Sequence, residues 1–304
     1  MMKIDRKALK GAARLALRRQ TGQSPWQVTA LYLLLTGGLS LVLGLVTDDP
    51  ISRLVWLLQQ GVEPGQALGL AVSAVGTVGL FANILLLLIR LVLDLGYMSW
   101  GLQVSRGKQT GASALTDGFA LVGRVLLLNA AVTLLSLCWY VVIFVPLITL
   151  LVPVAFLPGG AVLMPLVLIG GLALFALCVL RYAMADFCLL DEPERGVFHA
   201  LRTSRLLLRG RVIEYALLLL SFFGWYVLGV AASWIVESAA ITVLGGMDII
   251  LRQDMQAVLE LSGHPVVVVL TAVAGWAVSL WLQPYVTLTQ AGWYDRLREQ
   301  VGQK

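Results

Sequence analysis

The stretch VLLLNAAVTLLSLCWYVVIFVPLITLL, residues 125–151, holds no charged side chain. A bilayer core about 30 Å thick needs roughly 20 apolar helical residues to cross it. A run this long without a charge also exceeds an ordinary soluble core helix. Five further runs flank it, near 26–46, 67–93, 161–183, 214–236 and 265–286. The expected fold is therefore all-α: a polytopic membrane protein with six transmembrane helices. Residues 1–25 are expected to form a cytoplasmic amphipathic helix, 26–290 the six-span domain and 291–304 a cytoplasmic tail. The composition agrees, since 59% of the 304 residues are hydrophobic and only 13% are charged.

Some runs carry more detail. Taken through Tyr97, the second covers about 30 residues, or roughly 45 Å of helix. It must tilt or project from the membrane. Pro146, Pro153, Pro158 and Pro165 crowd the third-to-fourth connection, which suits a tight apolar hairpin with kinks. Gly37-Gly38, Gly159-Gly160 and Gly170-Gly171 suit close helix packing. Trp26, Trp100, Trp139, Trp225, Trp276, Trp281 and Trp293 are expected mainly near interfaces. Of these, Trp225 and Trp276 sit deeper and suit packing between helices.

Charge orients the spans. Lys3, Arg6, Lys7, Lys10, Arg14, Arg18 and Arg19 precede the first run. Arg106, Lys108 and Arg124 lie between the second and third. Arg181, Arg195, Arg202, Arg205, Arg209 and Arg211 lie around the fourth-to-fifth connection, and Arg296, Arg298 and Lys304 in the tail. The other side has Arg53 and Arg252 among Asp48, Asp49, Glu63, Glu237, Asp248, Asp254 and Glu260. Nineteen basic residues thus face two, with Arg90 near a membrane end. This bias places both termini in the cytoplasm. It also accounts for most of the +5 net charge, so nucleic-acid binding is not the reading. The long basic leader and full-length first run argue against a cleaved signal peptide.

Three basic-side segments have helical periodicity. In residues 3–19, Ile4, Ala8, Leu9, Ala12, Leu15 and Ala16 fall on one half of the wheel. Lys3, Arg6, Lys7, Lys10, Arg14 and Arg18 fall on the other. Such a helix suits an interface with anionic headgroups; a solvated tail that only enforces topology is the alternative. In the fourth-to-fifth connection, Asp191, Glu192 and Glu194 surround Pro193 at a helix start. Val197, Leu201, Ser204 and Leu208 then share one face, while Arg195, Arg202, Arg205 and Arg209 lie on another. A shorter version runs from Ser113 to Val122, with Leu115, Phe119 and Val122 on one side. Each segment precedes an odd-numbered run, and each even-numbered run ends near Tyr97, Tyr182 or Tyr285. This suggests a threefold pseudo-repeat of interfacial helix plus hairpin. The alternative is that tyrosine favours headgroup depth anyway.

The motifs resemble a known family. They include Lys7-Ala8-Leu9-Lys10, Gly96-Tyr97 and Leu115-Thr116-Asp117-Gly118-Phe119. Arg181-Tyr182-Ala183-Met184-Ala185-Asp186 and Asp191-Glu192-Pro193 follow, then Ser204-Arg205, Arg209-Gly210 and Ser221-Phe222-Phe223-Gly224-Trp225. Trp281-Leu282-Gln283-Pro284-Tyr285 and Trp293-Tyr294 close the series. In order and spacing the chain resembles the bacterial integral membrane proteins grouped as domain of unknown function 975. One departure is Pro146-Leu147, where the family usually has Pro-Gly near the third-span exit. The resemblance implies a polytopic protein of the bacterial plasma membrane and supplies no reaction.

The residues offer little enzyme chemistry. His199 and His264 are expected on opposite sides, and Cys138, Cys178 and Cys188 have neither zinc-site nor disulfide spacing. The expectation is no catalytic site, no metal and no cofactor. The polar groups within or beside the spans are Asn83, Arg90, Asp94, Asn129, Arg181 and Asp186, a candidate intramembrane site. For Arg90 and Asp94 the alternative is a local i, i+4 pair. Arg6, Lys10, Arg14, Arg18, Arg195, Arg202, Arg205 and Arg209 form a candidate lipid or partner face. Three functions follow in order: a non-enzymatic scaffold or regulator engaging anionic lipid headgroups or a membrane or cytoplasmic partner; a transporter of a small or lipidic compound; a membrane-embedded lipid-modifying enzyme.

Overall fold

The computed structural model describes residues 5–20, 23–46, 54, 57–58, 60–154, 160–245, 258 and 261–302. Lys3, Ile4, Asp48, Asp49, Arg53, Pro158, Gly159, Asp248, Arg252, Asp254, Glu260 and Lys304 lie outside them. The described residues are almost all helical. Helix α1 (Arg6–Arg19) is followed by α2 (Pro25–Leu33), which continues through a π turn (Leu34–Gly38) into α3 (Leu39–Val46). Helix α4 (Pro64–Ser105) leads to a 3-10 turn (Ala112–Thr116) and short α5 (Asp117–Ala120). The hairpin of α6 (Val122–Val154) and α7 (Gly160–Val179) ends in a 3-10 turn (Leu180–Tyr182) and α8 (Ala185–Asp191). A 3-10 turn (Pro193–Arg195), α9 (Val197–Leu207), α10 (Val212–Gly245) and α11 (Pro265–Gly302) complete the chain.

Among the described residues, six helical stretches are long and apolar enough to cross a membrane: Pro25–Leu45, Gly79–Ser105, Val122–Leu151, Leu163–Asp191, Val212–Gly245 and Pro265–Val301. Several helices are longer than a bilayer needs. Helix α4 has 42 residues, about 63 Å, and departs from helical geometry at Gly76. Helix α11 has 38 residues, about 57 Å. The third span continues through Pro146 and Pro153 to Val154.

Burial divides the molecule. The most apolar window of the third span is only 6% buried. Phe81, Leu150, Ile169, Ile235 and Val243 are all exposed. In lipid such side chains gain nothing from being hidden, because the chains around them are as apolar as leucine. The main packed core lies where α1, α8, α9 and the ends of α4 and α11 converge. There Leu9, Trp100, Leu115, Phe187, Leu189, Leu208, Trp293, Tyr294 and Leu297 are buried together. In water each such side chain contributes about 1.5–3 kcal/mol on burial. Both described termini and most of the basic residues belong to this basic end.

The docking order is cyclic. Ala112–Thr116 and α5 lean on α4 of the second span, α9 leans on α8 and the turn after the fourth, and α1 leans on α11 of the sixth. The first span also packs on the sixth, the third on the second and the fifth on the fourth. The second span also packs on the sixth.

Three local expectations are corrected. Helix α1 docks through Leu9 and Ala13, while Ala8, Ala12 and Leu15 of the expected apolar half are exposed. Asp5 caps the helix by accepting from the Lys7 N–H at 2.9 Å. Leu115 is buried, but Phe119 beside it is exposed, because the segment is a 3-10 turn followed by one helical turn and the assumed 100° spacing fails. Trp100 and Trp293 are fully buried core residues rather than interface anchors. The face of Val197, Leu201, Ser204 and Leu208 is buried. Its helix starts after Gly196, whose φ of 79° separates it from the Pro193 turn.

Candidate functional site

The end of α4 delivers Arg106 to the basic end. Its guanidinium donates to both Asp191 carboxylate oxygens at 2.7 and 2.9 Å. It also donates to Asp295 Oδ1, from Nε at 3.1 Å and from Nη2 at 2.7 Å. The Asp191 side chain is 7% exposed and accepts from the Tyr294 hydroxyl at 2.9 Å. Arg298 donates to Asp191 and, at 2.5 Å, to Glu192. Glu192 also faces Arg195 at 3.2 Å and His199 at 3.3 Å. Hydrogen bonds donated to Asp191 raise the Arg106 pKa against partial burial, with Asp295 adding to the effect. Its charge is therefore fixed. The network joins α4, α8 and α11, and its carboxylates are already engaged by guanidinium groups. That arrangement is a clamp, not an acid–base pair poised for chemistry.

A second polar node lies beside it. The Tyr32 hydroxyl donates to Asp94 Oδ1 at 2.5 Å, and the Thr29 and Tyr97 hydroxyls lie 2.9 Å apart. The Tyr32 and Tyr97 rings stack with centroids 4.4 Å apart, and Trp100 continues the stack at 5.2 Å. Asp186 lies in the field of Asp94 and close to Tyr215. The described hydrogen bond of Asp94 thus reaches the first span rather than Arg90, which is exposed on the same helix.

The six residues of the candidate intramembrane site therefore separate. Asn83 donates to Gly79 O at 2.9 Å and Asn129 to Val125 O at 3.0 Å, each one turn back in its own helix. Asp94 belongs to the tyrosine node through Tyr32, with Arg90 and Asp186 near enough to share its electrostatic field. Arg181 goes elsewhere: it lies over the Trp139 ring, 5.9 Å from the centroid, and lines a cleft with Arg202, Arg205 and Arg209.

The candidate lipid face also separates. Arg6 donates to Leu217 O and Lys10 to Ser221 O, each at 3.5 Å. The Lys10 ammonium sits 4.2 Å from the Phe222 ring centroid, and Arg14 lies 5.3 Å from that of Tyr285. Burial lowers the Lys10 pKa, helped by the nearby Arg14 and Arg6 charges. Arg18 is exposed. Arg195 is tied to Glu192, while Arg202, Arg205 and Arg209 line the cleft.

Cavities lined by described residues open at this end. One of about 730 Å³ runs between α1, Arg106 and α11, lined by Leu9, Ala13, Leu288, Asp295 and Glu299 among others. The arginine cleft measures about 580 Å³. A third, of about 260 Å³, is lined by Cys188, His199 and Tyr294 among others. Of the clamp residues, Arg106 and Arg298 read from the sequence only as topology charges, Asp191 only as a helix-end acid, and Asp295 carries no sequence signal of its own. Asp191-Glu192-Pro193 and Trp293-Tyr294 nevertheless stood among the family motifs, a signal that could have singled them out.

Helices and site together define a polytopic α-helical membrane protein whose polar machinery gathers at the basic end of its spans. The chain belongs to the family described as Protein of unknown function (DUF975), whose model matches residues 2–301. No curated protein matches the chain, and neither does any solved structure.

Proposed function

We propose that this is a non-enzymatic protein of the bacterial plasma membrane, with both termini cytoplasmic, that engages anionic lipid headgroups through its basic end. Its role is that of a scaffold or regulator. One observation carries the reading. The basic-end acids Asp191, Glu192 and Asp295 are engaged in ion pairs, whereas Arg6, Arg14, Arg18, Arg202, Arg205 and Arg209 have no acidic partner among the described residues. Cations left over after internal pairing are available to headgroups, at about 1 kcal/mol each near an anionic surface. The exposed Ala8, Ala12 and Leu15 strip on α1 supplies apolar surface beside them.

The transport reading has less behind it, since Asn83 and Asn129 already donate within their own helices. The enzyme reading would need Asp94 and Asp186 to act with Arg181, yet neither carboxylate lines the cleft that Arg181 lines. To test the proposal, the protein is reconstituted into bilayers mixing brominated phosphatidylglycerol with phosphatidylcholine, and tryptophan quenching reports which lipid contacts it. Preferential quenching by the anionic lipid, weakening with salt, is expected. Equal quenching by the two lipids at low salt would remove the basis for the proposal.

A further inference from the structure

The basic end sorts its arginines into two groups. Arg106, Arg124, Arg195 and Arg298 each face a carboxylate. Arg181, Arg202, Arg205 and Arg209 face none among the described residues, yet these four converge on one cleft of about 580 Å³. None of the described residues lining that cleft is acidic. Four like charges gathered without a counter-charge repel one another, and an anion seated among them would relieve that repulsion.

The local fold builds the cleft. Ser204 donates to Arg181 O at 3.0 Å and accepts from Met184 N at 3.1 Å, fixing α9 against the end of the fourth span. Gly210, with φ at +77°, ends α9 in a turn that side chains rarely allow. The Arg211 N–H closes this turn on Leu208 O at 2.9 Å. Arg211 itself is 6% exposed, and its Nη1 has no hydrogen-bond partner among the described residues. It adds a further positive charge next in sequence to the lining Gly210. Leu206 and Val212 also line the cleft, and the exposed Ile213 lies beside Val212. Apolar surface thus borders the cations.

We infer that this cleft is a binding site for two phosphate groups, carried on one headgroup. The inference rests on the proposed function and names the ligand of its basic face. Guanidinium groups bind phosphate through paired, parallel hydrogen bonds. Four arginines therefore match two phosphates better than one, and the cleft volume falls in the range of about 300–1,000 Å³ usual for small-ligand sites. The apolar border points to a lipid bearing two phosphodiesters, while a soluble diphosphate shares the same chemistry.

The test uses the full chain in neutral detergent and native mass spectrometry. The probes are cardiolipin, phosphatidylglycerol, phosphatidylcholine and pyrophosphate, each added alone. R202Q/R205Q/R209Q is compared with K7Q/R19Q/K108Q, which removes equal charge away from the cleft. Circular dichroism confirms that both remain helical, and R202K/R205K/R209K retains charge without the fork geometry. One cardiolipin should remain bound to the wild-type chain and to the control. The glutamine triple should bind it about tenfold more weakly or worse, with the lysine triple in between. Pyrophosphate binding with the same dependence on the variants would uphold the site and assign its ligand to the soluble source. Equal loss in the control, or binding of neither probe, would overturn the site. A general preference for phosphatidylglycerol that survives all three triples would leave the proposed function standing while the site falls.

Discussion

Arg106 and Asp191, 85 positions apart in the chain, meet as a two-point ion pair at 2.7 and 2.9 Å, and the end of α11 joins them through Tyr294 and Arg298. Two long helices, α4 and α11, and the short α8 are locked together by one nearly buried carboxylate. Asp191→Asn should destabilise the protein by about 2–4 kcal/mol, because it strands guanidinium groups that the carboxylate neutralises. Thermal unfolding in detergent measures the loss. In a double-mutant cycle with Arg106→Gln, the coupling should be about 1–3 kcal/mol. Strict additivity would show that the pair is not the clamp.

Gly96 and Gly118 place two backbones in direct contact. A Cβ on Gly96 would collide with the Leu115 carbonyl, and one on Gly118 with the Val92 carbonyl. Backbone cannot move aside as a side-chain tip can. Alanine at either position should cost about 1–3 kcal/mol or more. Gly123→Ala, which meets nothing within 4 Å, should be neutral or slightly stabilising. Melting temperatures of the three variants decide the matter. Equal shifts would contradict the packing.

The sequence made the six spans legible because a bilayer demands long uncharged runs, and it made the basic end legible because charge is excluded from those runs. Residues 125–151 and Val197, Leu201, Ser204 and Leu208 show both at work. The clamp was not legible. Asp191 lies far from Arg106 and Arg298 in sequence, and a charge that orients a span looks the same as one that pairs across three helices. Phe119 and Trp100 were misplaced for related reasons. The first sits where helical periodicity gives way to a 3-10 turn. The second sits on a helix that continues past Tyr97 into the packed core.

Tyr32 and Asp94 carry the link between the first and second spans. Tyr32→Phe removes the hydroxyl that donates to the half-buried Asp94 carboxylate and should cost about 1–3 kcal/mol. Asp94→Asn keeps an acceptor and should cost less. The Tyr32→Phe/Asp94→Leu pair should recover part of the loss, because it leaves neither polar partner stranded. Stability measured across these variants checks the order. A Tyr32→Phe protein as stable as wild type would mean that the hydrogen bond is not needed.

Leu9 seats α1 on α11: its side chain is 2% exposed, and a Cβ added to Gly292 would come within 3.3 Å of Leu9 Cδ2. Leu9→Asp should release α1 and deprotect the amides of residues 6–19 in hydrogen exchange, while the spans stay protected. Unchanged protection of α1 would contradict its docking.

The central claim is that the basic end takes anionic headgroups. Its most direct test is the melting temperature of the purified protein in neutral detergent, titrated with phosphatidylglycerol or phosphatidylcholine. The account predicts a rise with the anionic lipid alone, reduced by salt and largely lost when Arg6, Arg14, Arg18, Arg202, Arg205 and Arg209 are all glutamine. Equal rises with both lipids, or a full anionic response in that variant, would contradict it.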